Sequence, residues 1–238
     1  MCPAPKYSVE QQAEMILDAS VKVIEASSLL DFKMTAIAKE AGLSVGSLYK
    51  YVQTKEDVII ALACQYFENL AVFASRIYQM PLSMPQKLMG FLLACPQKSG
   101  KFSFDLDLEV LATSEPVLRR CSPMWKVRML SLTEKMGEIC HQKVQDCFDS
   151  GEYLGDSFEE IHELSIGNWA MSAGCKQVRC HQKIMGEHGG EQVSHHQQIE
   201  QDSLRAMRRF INAYPWKQPL TDEGIEQVKV ELIKLGYR

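Results

Sequence analysis

Residues 34–57 constrain the fold of this chain more than any other part of the sequence. Apolar residues at helical spacing run up to Gly42, and glycine commonly follows the C-terminus of a helix. Ser44 can begin a second helix, because its hydroxyl can accept a hydrogen bond from a free backbone N–H. Thr54 opens a pattern similar to a capping box. The stretch therefore predicts two short helices joined by a tight turn, followed by a third helix.

The second of these helices, at about residues 45–52, has a thin apolar side and a polar outer side. At 100° per residue Leu48 falls on the inner side, whereas Gly46 and Lys50 fall opposite. Three residues after Ser44, where a capping box would place Glu or Gln, stands a serine, and a carboxylate there would repel phosphate. We interpret this helix as one that offers its outer side to DNA.

The string IAKEAGLSVGSLYKYVQTKEDV closely resembles the helix-turn-helix of TetR-type repressors, and the similarity covers roughly residues 11–62. The resemblance implies an all-α chain with a three-helix DNA-binding head at residues 1–55. Residues 56–238 would form a larger helical domain that binds an effector and dimerises, linked by a helix from about residue 55. The sequence departs from the family at Lys33, where a capping Ser or Thr is common.

Eight residues are candidates for contact with DNA. The candidates for base edges are Val45, Gly46, Ser47 and Tyr49. The candidates for phosphate, carried over from matching family positions, are Lys50, Tyr51, Thr54 and Lys55. The alternative interpretation is that the two tyrosines are only packing aromatics. Gly46 matters sterically, since a residue without a side chain lets the backbone come near the groove.

The charge of the chain limits how it can attract DNA. The formal net charge of the whole chain is −4, so a generally basic surface is excluded. Between Lys33 and Lys55, however, four lysines face one glutamate, which is a local excess of three positive charges. A local attraction of this kind favours a dimer that reads sequence over a protein that coats DNA without preference.

Beyond residue 55 the apolar spacing predicts further helices and no convincing strand. The predicted helices beyond residue 55 lie at residues 55–78, 84–95, 104–113, 124–150, about 157–178, 202–214 and 221–235. A helix at residues 11–27 is predicted before the two short helices of the head. A polar loop is expected at residues 96–101 and a mobile connection at 182–198, which contains three glycines. We expect the helices near 158–178 and 202–214 to form the dimer face.

The resemblance also implies a pocket for a small effector. Residues that could line it are Phe67, Phe91, Met124, Trp125 and Trp169, although ordinary core is the commoner role for each of these residue types. Because no strong charge pair lies on an apolar face, an apolar or amphipathic effector is expected. A C-terminal domain that binds a protein partner instead is the alternative.

Metal, redox and enzyme chemistry find little support in the sequence. The residues His181, His188, His195 and His196, with Cys175 and Cys180, match no tight ligand spacing, so no metal or cofactor is predicted. Among the eight cysteines, only Cys121 follows two arginines and has an evident cationic neighbourhood. No nucleophile–base motif, paired carboxylate site or phosphate loop suggests an enzyme.

The expected location is a reducing cytoplasm with free thiols. Acidic residues interrupt any early apolar run, so no signal peptide is expected. No unbroken run of 18 apolar residues occurs, and no membrane partner is expected. The expected partners are double-stranded operator DNA, a second copy of the chain and a small effector.

Overall fold

The structure is a computed structural model that describes residues 7–186 and 193–238, without the side chains of residues 158 and 182–197. The described residues form twelve α-helices, and the β-type pairing among them is one isolated antiparallel bridge between Tyr153 and Trp216. The all-α class is therefore confirmed. In chain order the helices are α1 (Val9–Ala26), α2 (Met34–Glu40), α3 (Val45–Tyr51), α4 (Lys55–Tyr78), α5 (Met84–Leu93), α6 (Pro96–Ser99), α7 (Asp105–Ala112), α8 (Glu115–Arg120), α9 (Pro123–Asp149), α10 (Phe158–Gly186), α11 (Val193–Asn212) and α12 (Asp222–Lys234).

Side-chain caps fix the starts of α1 and α3, but not that of α2. Ser8 and Gln11 form a full capping box, which starts α1 two residues earlier than the apolar spacing predicts. Lys33 stands before α2 and makes no side-chain cap. Ser44 accepts a hydrogen bond from the Ser47 backbone N–H at 3.0 Å, as predicted for the start of α3. Gly42 has a φ of 64°, a left-handed conformation that the turn between α2 and α3 requires.

The chain divides into two compact units. Unit 1 consists of Met1–Asn69 and Gly100–Glu134, and unit 2 consists of Leu70–Ser99 and Lys135–Arg238. The helices α4 and α9 each contribute residues to both units.

Each unit has its own apolar core. In unit 1 the fully buried side chains include Ile16, Ile37, Leu48 and Leu62, which come from α1, α2, α3 and α4. The head is therefore held together by one residue or more from each of its helices, as the apolar spacing predicts.

Unit 2 is organised around α5. This helix packs against α10, α11 and α12, and its residues Leu88, Met89 and Leu92 are buried in the core of the unit. The end of the chain is tied to the C-terminus of α5, because the Cys95 N–H donates to the Tyr237 carbonyl at 2.8 Å. A second bond runs from the Arg238 guanidinium to a free carbonyl at the end of α5.

Two of the predicted connections differ in the structure. Residues expected as a polar loop contain the short helix α6. Elsewhere, α8 ends at Arg120 and α9 begins at Pro123, since the fixed φ of proline suits the first position of a helix. The predicted mobile connection at 182–198 is helical at both ends, in α10 and α11, and its centre at 187–192 lies outside the described residues.

One described helix, α4, is long and apolar enough to cross a membrane by length and composition alone. Its 24 residues contain no unbroken run of 18 apolar residues, because polar residues interrupt the helix. Of its most apolar stretch of 18 residues, 56% is buried inside the structure, as is common for a core helix of a globular domain.

Candidate functional site

The helix α3 presents the outer face that its sequence predicts. Leu48 is completely buried, which anchors the inner side of the helix in unit 1. Val45 and Tyr49 are 40% and 45% exposed, and Gly46 and Lys50 are exposed as well. A small backbone position, an aromatic ring and a cation therefore share one accessible face.

Ser47 lies beside this face but is already hydrogen-bonded. Its hydroxyl lies 2.9 Å from the Ser44 hydroxyl, and its backbone N–H donates to the same oxygen. The Ser47 side chain is half-buried, and a hydroxyl can make more hydrogen bonds than this one contact with Ser44.

Tyr51, at the end of α3, packs against a residue far along the chain. Its ring meets the Trp125 ring edge-on with centroids 5.3 Å apart, and its carbonyl accepts a 3.3 Å hydrogen bond from the Trp125 indole N–H. Burial raises the pKa of the Tyr51 hydroxyl. The Tyr51 ring therefore does pack against another aromatic residue, as the alternative interpretation expects. This packing leaves open a separate contact of its hydroxyl.

Thr54 and Lys55, at the start of α4, both have partners within unit 1. The Thr54 hydroxyl accepts from the Asp57 N–H at 2.9 Å, as the predicted cap requires. The Lys55 ammonium donates to the Leu30 carbonyl at 3.4 Å and lies 4.8 Å from the centre of the Phe32 ring. An ammonium carries three donors, so Lys55 retains donors for a phosphate.

The structure adds Asp57 to this site, beyond its part in the predicted cap. This carboxylate is fully buried and accepts a 2.8 Å bond from the Gln53 N–H. It also accepts two 2.6 Å bonds from Ser122, one from the N–H and one from the hydroxyl. Nothing in the local sequence around Ser122 indicates this partner.

Two exposed lysines at the two ends of α2 lie in the same unit and are not among the eight candidates. Lys33 and Lys39 are both exposed, and Lys39 lies in the last turn of the helix. The local excess of lysine over acidic residues was the signal for them. Both are exposed ammonium groups of the kind that contacts phosphate in protein–DNA complexes.

The five candidate effector residues are divided between the two units. Phe67, Met124 and Trp125 belong to unit 1, and Phe91 and Trp169 belong to unit 2. Phe67 and Trp125 are buried and Phe91 is half-buried, whereas Met124 and Trp169 are exposed.

The cations near Cys121, which include Lys126, do not outweigh the effect of its burial. The two preceding arginines form ion pairs, Arg119 with Glu115 at 2.7 Å and Arg120 with Glu56 at 3.6 Å. Cys121 itself is buried, and this burial raises the pKa of its thiol. A raised pKa removes the physical basis for singling it out as a reactive thiol.

The structure describes only some of the histidines and cysteines that were considered as metal ligands. Among the described residues, no three His, Cys, Asp or Glu side chains are grouped so that they could hold a metal ion. His188 lies outside the described residues, and the side chains of His195 and His196 are not described. His181 is exposed on α10.

Comparison with known sequences places the head in one family. The model for bacterial regulatory proteins of the tetR family matches residues 16–62. The fatty acid metabolism regulator protein of Bacillus subtilis (strain 168) is 34% identical over 73 residues. That alignment covers 31% of this chain and 33% of the relative, so the match spans about a third of the length of that relative.

Comparison with solved structures extends the likeness to the fold of the whole chain. A TetR-family transcriptional regulator from Cytophaga hutchinsonii aligns with a TM-score of 0.58 at 12% identity, covering 90% of this chain and 100% of that one. The regulator FadR from Bacillus subtilis, solved with stearoyl-CoA, aligns with a TM-score of 0.51 at 17% identity, covering 82% and 96%. The head of the chain thus matches the tetR family model, and the fold of the chain is similar to that of solved TetR-family regulators.

Proposed function

We propose that this chain is a homodimeric repressor that binds operator DNA through α3 and is released by a small effector. The observation that carries the proposal is the outer face of α3, on which Tyr49 and Lys50 are exposed while Leu48 is fully buried. A helix of this kind can enter the major groove with its side chains toward the base edges.

The roles within the site follow from exposure and chemistry. We assign base contacts to Val45, Gly46, Ser47 and Tyr49, and phosphate contacts to Lys50, Tyr51, Thr54 and Lys55. The division between the two groups follows the course of the chain, because the base-reading residues lie on α3 and the phosphate residues continue to the start of α4.

We also assign the two functions to two parts of the chain. Residues 1–55 would bind DNA, and residues 56–238 would bind the effector and form the dimer, with α4 as the link between these functions. The 24 residues of α4 support this assignment, since a continuous helix carries a displacement along its whole length.

The dimer is supported by apolar side chains on α10. Ile166 and Trp169 are 50% and 55% exposed and lie three residues apart, so both occupy one side of the helix. The small residues Ala170 and Ala173 on the same side are also accessible and would allow a second helix to approach closely. A second copy of this face, together with α11, would cover these side chains in a four-helix arrangement.

An apolar or amphipathic effector is the ligand class that we propose. Its support is the relative from Bacillus subtilis, which is named a fatty acid metabolism regulator, and the FadR structure, which contains stearoyl-CoA. The buried cysteines are consistent with a reducing cytoplasm, where such a regulator would meet both DNA and metabolites.

Two measurements test the proposal. Footprinting on the DNA beside the chain's own gene should show a protected, two-fold symmetric site, and a complete lack of protection on any duplex would refute operator binding. Addition of stearoyl-CoA as a probe should raise the melting temperature and release the DNA. If stearoyl-CoA changes neither quantity, an acyl effector is ruled out and a protein partner becomes the better interpretation of the C-terminal domain.

A further inference from the structure

Trp125 makes two contacts with the last residue of the DNA-reading helix α3. Its indole N–H donates to the Tyr51 carbonyl at 3.3 Å, and its ring meets the Tyr51 ring edge-on at an interplanar angle of 79°. Trp125 is only 2% exposed, and Tyr51 is half-buried. The end of α3 is therefore fixed in both position and rotation by a residue near the start of α9.

The residues around Trp125 hold it firmly in place. Three residues earlier, Ser122 is bonded through its N–H and its hydroxyl to the buried carboxylate of Asp57, in the first turn of α4. On the other side, the Arg128 guanidinium lies 5.5 Å from the Trp125 ring and forms a 3.4 Å ion pair with Glu68 of α4. The indole thus stands between two attachments to α4.

A helix as short as α3 depends on contacts of this kind. It has seven residues, and isolated helices of that length are not stable in water. Leu48 anchors its middle and the Ser44 hydroxyl caps its start, but neither fixes the rotation of its last turn. Among the described contacts of α3, the Trp125 indole is the side chain that holds its C-terminal end by both packing and a hydrogen bond.

We propose that Trp125 is a positioning residue for DNA recognition, which orients α3 without touching DNA. This inference rests on the proposed function of α3. Base contacts depend on the orientation of the helix to within a fraction of an ångström, whereas phosphate attraction tolerates a tilted helix. Loss of the Trp125 contacts should therefore reduce the affinity for the operator and leave the affinity for random duplex unchanged.

The chain contains a closely matched control for this test. Trp216, in unit 2, is also buried, donates its indole N–H to the Ile211 carbonyl at 2.7 Å and meets the Tyr153 ring edge-on at 5.2 Å. Trp125→Phe and Trp216→Phe therefore remove the same indole donor and the same part of the ring from similar environments. Only the first change affects a residue that contacts α3.

The experiment measures binding of full-length protein to two duplexes, one selected from a random library by the wild-type protein and one unrelated. Trp125→Phe should weaken binding to the selected duplex about tenfold, equivalent to the loss of the indole hydrogen bond and part of the ring contact. Trp216→Phe should bind as the wild type does, although thermal unfolding should show a similar loss of stability for both variants.

Each outcome decides a separate point. If the wild-type protein selects no duplex, the proposed function fails, and the positioning role fails with it. If the wild-type protein binds but Trp125→Phe and Trp216→Phe behave alike, or if Trp125→Phe weakens both duplexes equally, only the positioning role is overturned. Should Trp125→Phe not fold, Trp125→Tyr, which also lacks the indole N–H but adds a hydroxyl to the ring, replaces it under the same criteria.

Discussion

Asp57 and Ser122 are 65 residues apart in the sequence, yet Ser122 donates both its N–H and its hydroxyl to the Asp57 carboxylate at 2.6 Å. The same carboxylate accepts from the Gln53 N–H between α3 and α4. One buried acid therefore connects the segment after α3 to the residue that precedes α9. Buried carboxylates are costly unless their oxygens are hydrogen-bonded, and both oxygens of Asp57 are.

We expect Asp57→Ala to lower the free energy of unfolding by about 3 kcal/mol, because it leaves the Ser122 and Gln53 N–H groups without an acceptor. Urea unfolding followed by circular dichroism measures this loss. Asp107→Ala is the control, since Asp107 is an exposed aspartate in the first turn of α7. It should cost less than about 1 kcal/mol. Equal losses for the two variants would contradict the role of the buried carboxylate.

Gly46 allows stability and recognition to be separated. A methyl group added at this position would meet only the Ser44 hydroxyl oxygen, at 3.8 Å, so Gly46→Ala should not strain the protein. The change should leave the free energy of unfolding unchanged or raise it by up to about 1 kcal/mol, owing to the better helix propensity of alanine. Operator affinity should nevertheless fall, because the methyl group would occupy space that we assign to DNA.

The matched control for this test is Gly137→Ala in α9. Gly137 is also an exposed helical glycine, and a methyl group there would meet nothing within 4 Å. This variant should gain similar stability and bind the operator like the wild-type protein. If Gly46→Ala also binds normally, the backbone at Gly46 does not come close to DNA.

Lys50 tests the electrostatic part of the site. Its side chain is exposed on the outer face of α3, and Lys50→Ala should remove one phosphate contact from each head of the dimer. The slope of log affinity against log salt concentration should become less steep by about 2. Affinities for operator and random duplex should fall alike. The exposed Lys217 of unit 2 provides the control, and an identical slope for Lys50→Ala and Lys217→Ala would remove Lys50 from the site.

Trp169 tests the dimer. Trp169→Glu places a charge in the centre of the apolar side of α10, and sedimentation should then show a monomer, with dimerisation weakened by more than about 2 kcal/mol. Val230→Glu on α12 is the control, because Val230 is similarly accessible, at 51% against 55% for Trp169. A Trp169→Glu variant that sediments as the wild-type protein does would place the dimer face elsewhere.

Local features of the sequence predicted most of the helical structure. The apolar stripe of α4 predicts its bounds at residues 55 and 78, because burial of one face and helix period coincide there. The start of α11 is missed by this method, since the residues from Val193 to the predicted start at 202 are mostly polar. The four residues of α6 are likewise too few to show a period.

The sequence likewise predicts some features of the candidate site and not others. The outward position of Gly46 and Lys50 follows from the spacing of residues within a single helix, so the sequence predicts it. The contact of Tyr51 with Trp125 joins residues 74 positions apart, and no local pattern indicates it. The sequence makes Trp125 only one apolar candidate for the effector pocket. The structure shows that its ring and its indole N–H contact Tyr51.

The central claim is that the outer face of α3 reads the sequence of a duplex. The most direct test compares Ser47→Ala and Tyr49→Ala with the wild-type protein on the selected operator and on random DNA. Both variants should lose discrimination between the two duplexes, by about 1–3 kcal/mol for each base contact removed, while their affinity for random DNA stays close to that of the wild type. An equal loss on operator and random DNA would show that this face does not read bases and would contradict the account.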